Sequence, residues 1–113
     1  MLTSGDVIRL DLGAPEGREA GLKRPAVVVS SQEILDESAN VVQIVPLTTT
    51  LRSFGSEVSI SADEGNGLSA DSAAQCQHIR SVSAERVEAV LGNVGPVALA
   101  DIRGVLGVIL DIH

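Results

Sequence analysis

The sequence predicts a mainly β fold: a small, strongly curved β-barrel or half-barrel of five to seven short strands, closed by one C-terminal α-helix. Two observations predict it. The apolar segments up to Gly92 are short, rich in valine and separated by glycine, proline and serine, whereas those after Gly95-Pro96 recur at helical spacing. With 113 residues and 44% hydrophobic content, the chain is expected to form a single domain over residues 1–113.

The first half begins with a strand over Val7–Leu12. Residues 13–22 contain too much glycine and proline for regular structure and predict a long loop, a type that is usually functional in compact domains. The segment Pro25–Val29 is continuously apolar rather than alternating, which predicts a central strand buried on both faces. Ser31–Asp36 is interpreted as one helical turn with a serine cap.

The next three elements are predicted to be strands. Val41–Leu47 forms the first, and Pro46 near its end predicts an edge position or a bulge, because proline cannot donate to a sheet ladder. Glu57–Ser61 alternates between apolar and polar residues, as a half-buried strand does. The turn residues Asp63–Gly67 then lead into Leu68–Gln75, so these segments predict a β-hairpin.

The chain then passes from strands to the terminal helix. Cys76–Val82 is interpreted as a strand, Ser83–Arg86 as a turn, and Glu88–Gly92 as a short strand. Pro96 favours a helix start, because proline is tolerated at the first helical position. Apolar residues at helical spacing follow it: Leu99, Ile102, Leu106 and Ile109.

This helix is apolar around most of its circumference. Six further apolar residues join its buried stripe: Val97, Ala98, Val105, Val108, Leu110 and Ile112. A helix of this kind is covered by more than one neighbour. We therefore expect a homodimer in which the helix takes part in packing, with deep burial inside one protomer as the alternative.

Composition excludes several classes of function. Asp and Glu outnumber Lys and Arg by 15 to 8, and the net charge of −7 argues against broad electrostatic binding to nucleic acid. Phe54, the one aromatic residue, cannot form a stacking platform for single strands. No apolar run or N-terminal signal predicts a membrane or export route, so a soluble cytoplasmic protein is expected. The lone Cys76 predicts a buried thiol rather than a nucleophile or metal ligand.

Two segments place polar groups at the ends of buried strands. Arg24 opens the valine run that ends at Ser30, and the hydroxyls of Thr48, Thr49 and Thr50 close the strand that starts at Val41. A fixed guanidinium fork beside hydroxyls suits a phosphodiester oxyanion. Five of the eight cations lie in or beside the loops that flank these segments: Arg18, Lys23, Arg24, Arg52 and Arg80.

Taken in order, these segments resemble the MazF/PemK toxins. The resemblance is carried by Gly5-Asp6-Val7-Ile8, Asp11-Leu12 with Gly17-Arg18-Glu19, Arg24-Pro25 with its valine run, Val45-Pro46-Leu47-Thr48-Thr49, and residues Gln75 to Val82 with Ile79-Arg80-Ser81. It spans nearly the whole chain. It implies an SH3-like barrel of the CcdB/MazF type and the toxin of a type II toxin–antitoxin pair, a sequence-specific endoribonuclease that dimerises and is silenced by a MazE-like antitoxin.

The resemblance also implies a site. Arg24 and Thr48 would be the catalytic pair, with Glu19 shaping the site and neither metal nor cofactor required. Supporting or RNA-binding roles would fall to Arg18, Lys23, Thr49, Arg52, Gln77, His78 and Arg80. Single-stranded RNA, mRNA first with rRNA and tRNA left open, would be cut by its own 2′-hydroxyl, leaving a 2′,3′-cyclic phosphate and a 5′-hydroxyl.

Three alternatives stay open at this point. His78 stands where the family usually has glutamine, so it is interpreted as a structural or substrate-contacting residue, with proton transfer as the alternative. A CcdB-like toxin that binds gyrase and cleaves nothing would use the same barrel. An inactive, purely interacting relative is the third interpretation.

Overall fold

The computed structural model describes residues 1–14, 17 and 23–112. Most of the predicted loop 13–22 lies outside these residues, as do Arg18, Glu19 and His113. The mainly β prediction is confirmed. The described elements are β1 (Asp6–Asp11), β2 (Lys23–Val28), α1 (Gln32–Asp36), β3 (Val41–Thr48), β4 (Glu57–Ile60), β5 (Ser72–Gln75), β6 (Arg80–Ser83), β7 (Val87–Asn93), α2 (Gly95–Ile109), and 3-10 turns at Cys76–His78 and Ala84–Arg86.

The described strands form one antiparallel sheet in the order β4-β5-β3-β2-β1-β7, with β6 also paired to β3. The central position predicted for β2 is confirmed. Its valines need no alternation because both faces are covered: Val27 packs into one apolar cluster and Val28 into the other. The serine cap is also confirmed, since Ser31 Oγ accepts a hydrogen bond from the Ile34 N–H of α1 at 3.3 Å.

Strand β3 is interior, so the edge position predicted from Pro46 is wrong. On one side β3 pairs with β2, and on the other it pairs first with β6 through Val41–Ile44 and then with β5 through Leu47–Thr48. Pro46 is fully buried and falls in the interval between these two partners. A residue without an N–H is tolerated there because the ladder on that side is already interrupted.

The predicted strand Cys76–Val82 is wrong over its first three residues, which form a 3-10 turn. The pairing explains the difference. Leu47 of β3 pairs with Ala74 of β5, and Ile44 of β3 pairs with Arg80 of β6. These two pairs are three residues apart along β3 but six residues apart along the partner segment. One turn of 3-10 helix takes up the excess between β5 and β6.

Helix α2 begins at Gly95-Pro96, as predicted, and packs over one face of the sheet. Ile102 and Leu106 are buried there, while Val97 and Val108 are 76% and 73% exposed. One protomer therefore does not bury the whole apolar helix, which rules out deep burial inside a single protomer. No helix in the described part of the chain is long and apolar enough to cross a membrane.

Candidate active site

Arg24 and Thr48 lie side by side at the ends of β2 and β3. The two strands are paired with Ala26 opposite Pro46, and continuing this register by two residues sets Arg24 opposite Thr48. Because side chains alternate along a strand, both project from the same face. They line an open groove of about 350 Å³ together with Lys23, Pro25, Leu47, Thr49 and Thr50.

The guanidinium of Arg24 is oriented by Gln75, a residue for which the sequence predicted no role in the site. Its Nη1 donates to Oε1 of Gln75 on β5 at 3.2 Å. Gln75 is 6% exposed and lies on β5, the strand that pairs with the end of β3. A buried amide carbonyl that accepts from a half-buried Arg24 restricts where the rest of the guanidinium fork can point. The sequence places Gln75 only at the end of a predicted strand.

The Thr48 hydroxyl is oriented by its own loop. Thr48 Oγ1 accepts a hydrogen bond from the Thr50 N–H at 3.1 Å, a local contact that threonine commonly makes where a strand ends. This contact uses a lone pair and leaves the hydroxyl hydrogen for another acceptor. The groove therefore contains a half-buried hydroxyl donor next to a half-buried guanidinium.

A buried carboxylate lies behind Gln75. Glu57 on β4 is directly opposite Gln75, and its side chain is only 2% exposed. Its Oε2 accepts hydrogen bonds from Arg52 and, at 2.8 Å, from Gln77 Nε2. Burial by itself raises the pKa of Glu57, but the hydrogen bonds from Arg52 and Gln77 and the charge of Arg52 lower it below its usual value. Glu57 is therefore a structural anion on the strand next to Gln75.

Replacing Glu57 by glutamine should lower the free energy of unfolding at pH 7 by about 1.5 to 3 kcal/mol, because a buried hydrogen-bonded charge is lost. A carboxyl with a lowered folded pKa stabilises the fold above its unfolded pKa and loses that contribution as pH falls through the folded value. The difference between wild type and E57Q should therefore shrink in acid. Denaturant titrations at neutral and acidic pH measure it.

Glu88 provides the matched control, because its partner Lys23 is on the surface. Their ion pair, 3.2 Å long, joins side chains that are 64% and 41% exposed. Exposed pairs contribute little, so E88Q should change stability by less than about 1 kcal/mol. Equal losses in E57Q and E88Q would contradict a special role for Glu57.

The remaining predicted residues lie around the groove rather than in its lining. Arg52 is paired with Glu57 and covers the Phe54 ring at 4.6 Å, and Arg80 Nη1 donates to the Leu12 carbonyl at 3.5 Å. His78 is half-buried and makes no hydrogen bond among the described residues. Four predicted residues are thus placed away from the groove walls: Arg52, Gln77, His78 and Arg80. Arg18 and Glu19 lie outside the described residues.

Cys76 behaves as the buried thiol that the sequence predicts. It is fully buried in the core cluster beneath α2, and burial raises the pKa of its thiol to about 11. A thiol with this pKa stays protonated at neutral pH and is a poor nucleophile.

The family follows from a sequence comparison. A family model described as "PemK-like, MazF-like toxin of type II toxin-antitoxin system" matches residues 3–110. The chain belongs to the PemK/MazF toxin family. A PemK/MazF relative, Endoribonuclease MazF9 of Mycobacterium tuberculosis, is 32% identical over 99% of this chain and 98% of its own length. The predicted class, a MazF/PemK-type endoribonuclease toxin, is confirmed at this level.

Solved structures of MazF toxins share the fold. MazF from Deinococcus radiodurans superposes with a TM-score of 0.80 at 28% identity, covering 96% of this chain and 94% of that one. A MazE-MazF structure from the same organism gives a TM-score of 0.76 at 28% identity, covering 97% and 96%. The MazF-type fold predicted from the resemblance is confirmed.

Proposed function

We propose that this MazF-type toxin cleaves single-stranded RNA by metal-independent attack of the ribose 2′-hydroxyl on the adjacent phosphate, with mRNA in the cytoplasm as its target. The observation that carries the proposal is the placement of Arg24 and Thr48 opposite each other in one open groove. The RNA supplies the nucleophile in this reaction, so the protein contributes donors for the phosphate and a fixed geometry rather than a nucleophile of its own.

The proposed reaction balances without a metal or a protein nucleophile. The 2′-oxygen forms a bond to phosphorus, the bond from phosphorus to the 5′-oxygen breaks, the 2′-hydroxyl loses its proton and the leaving oxygen gains one. The products are a 2′,3′-cyclic phosphate and a 5′-hydroxyl. Negative charge that develops on the non-bridging oxygens is stabilised by the guanidinium fork of Arg24 and the hydroxyl of Thr48.

Proton transfer needs a different group from Arg24, since a guanidinium keeps its protons and acts only as a donor. His78 was the alternative for that step. It is half-buried and outside the groove lining, which favours its interpretation as a structural or substrate-contacting residue. The proposal therefore assigns His78 no proton.

The charges around the groove suit a short stretch of RNA backbone on an otherwise acidic protein. Lys23 and Arg24 are in the lining, and the ion pair of Lys23 with Glu88 is exposed. An exposed pair of this kind contributes little, so Lys23 can exchange Glu88 for a phosphate at low cost. The net charge of −7 then disfavours nonspecific binding elsewhere on the surface.

A MazE-like antitoxin and a second copy of the toxin are the proposed protein partners. The Deinococcus radiodurans relative is known from a MazE-MazF structure, which supports an antitoxin for this chain. The exposed Val97 and Val108 on α2 support packing of that helix against a second protomer.

Purified protein incubated with a long single-stranded RNA in EDTA tests the chemistry. We expect cleavage at discrete sites, 5′-hydroxyl ends, and no cleavage where the nucleotide 5′ to the cut is replaced by its 2′-deoxy form. The deoxy substrate removes the proposed nucleophile and leaves every protein contact to the phosphate in place. Loss of activity in EDTA, or cleavage of the deoxy substrate, would contradict the mechanism. Intact RNA together with inhibition of gyrase would favour the CcdB-like alternative.

A further inference from the structure

A second cavity adjoins the active-site groove and has no assigned role. It measures about 190 Å³ and shares four residues with the groove: Pro25, Leu47, Thr48 and Thr49. Its other walls come from β1, from β7, from the start of β5 and from the loop between β4 and β5, and they include Arg9, Leu68, Ser69, Ser72 and Leu91. Because the two spaces share these wall residues, the cavity opens beside the groove.

Arg9 is the most unusual residue of the cavity. It is exposed on β1 opposite Pro25, and no ion pair or hydrogen bond engages it among the described residues. Every other Lys or Arg side chain in that part of the chain has a partner, namely Lys23, Arg24, Arg52, Arg80, Arg86 and Arg103. The Arg9 guanidinium in the cavity wall therefore has donors available for a ligand.

The cavity wall is held in shape by its own hydrogen bonds. Asn66, 2% exposed, accepts from the N–H groups of Asp63 and Leu68 and donates to the Ser61 carbonyl. Gly67 has φ +67°, and a Cβ there would lie 2.2 Å from the Leu91 carbonyl oxygen. The loop is therefore packed directly on β7, so the cavity exists before any ligand binds.

The chemistry of the lining matches one kind of ligand. Leu47, Leu68 and Leu91 provide apolar surface, which suits the flat face of a base. Arg9 can only donate, whereas the Ser72 hydroxyl already donates to the Ala70 carbonyl at 3.0 Å and is left to accept. A base with acceptors on one edge and donors on another satisfies both. Guanine presents O6 and N7 as adjacent acceptors to the two-donor fork of Arg9, which is the commonest specific contact of arginine with a base, and it has N–H groups for an acceptor.

We propose that this cavity binds a guanine base of the RNA nucleotide next to the scissile phosphate, and that Arg9 determines this preference. The inference rests on the proposed RNA cleavage and adds a specificity-determining residue outside the catalytic pair. Single-stranded RNA is usually recognised in this way, with splayed bases bound by their edges.

Cleavage of a random-sequence RNA pool, followed by mapping of the 5′ ends, tests the proposal. Wild type should give ends enriched in guanine at one position flanking the cut. R9A should reduce that enrichment about tenfold or more while cleavage continues elsewhere. R9K keeps the charge but lacks the planar fork, so it should recover only part of the preference. R103A is the matched control, because Arg103 donates to the Ser30 carbonyl at 3.2 Å and is outside the cavity lining, and it should leave the preference unchanged.

A modified base separates a direct contact from a loss of folding. Replacing the flanking guanine by 7-deazaguanine removes the N7 acceptor, which should slow cleavage by wild type but not by R9A. Equal sensitivity of the two proteins, or the same sequence preference in wild type and R9A, would overturn the role of Arg9. Failure of wild type to cut any RNA would instead contradict the proposed function.

Discussion

Replacing Arg24 by alanine should lower kcat for RNA cleavage by about 10²- to 10³-fold or more, with a much smaller effect on KM. The reason is that a donor aimed at charge that develops on the phosphate stabilises the transition state more than the bound substrate. Gln75 already holds Arg24 in place, so the wild-type guanidinium needs little reorganisation during the reaction. Single-turnover cleavage of one defined oligonucleotide measures the effect.

Two further variants make the interpretation specific. R24K retains a positive charge but not the two-donor fork, so it should restore only a small part of the rate. T48V keeps the β-branched shape and removes the hydroxyl, and it should cost about 10²-fold if the hydroxyl contacts the same oxyanion. A rise in KM with unchanged kcat in R24A would assign Arg24 to substrate binding alone. Thermal unfolding of each variant, which should match wild type, separates chemistry from folding.

Local sequence signals predicted most of the fold. Three of these signals act within a few residues, and each prediction agrees with the structure. They are the uninterrupted valines of β2, the serine before α1 and Gly95-Pro96 at the start of α2. The 3-10 turn at Cys76–His78 could not be predicted in this way. It results from the unequal advance of β3 and its two partners, which is a property of the assembled sheet.

The candidate site shows the same limit. Arg24 and Thr48 come from segments whose sequence already indicates strand ends. Gln75 lies near them only because β5 pairs with β3, and Glu57 lies beside Gln75 only because β4 pairs with β5. A shift of one residue in either register would turn these side chains to the other face. Arg9 was missed for a related reason, since nothing in its local sequence shows that it alone lacks a partner among the described cations.

Replacing Val108 by aspartate should convert a dimer into a monomer. Val97, Gly104 and Val108 are spaced so that they share one outward stripe of α2, and both valines are largely exposed in the protomer. Apart from the adjacent residues and the backbone of α2 itself, no atom lies within 4 Å of a Cβ at Gly104, so a larger side chain fits the protomer. G104Q should therefore preserve or improve the helix by up to about 1 kcal/mol while blocking close approach of a second helix.

Sedimentation and the concentration dependence of thermal unfolding distinguish these outcomes. A dimer is stabilised by mass action, so the Tm of wild type should rise with protein concentration, and this dependence should disappear in V108D and G104Q.

I34D is the matched control: Ile34 is 48% exposed on α1, and an acidic residue near a helix N-terminus is favourable, so it should remain dimeric. A monomeric wild type, or dimers that survive both α2 substitutions, would assign the exposed stripe to a different partner. Because G104Q removes no contact within the protomer, its loss of dimerisation would locate the interface on α2 rather than reflect a damaged fold.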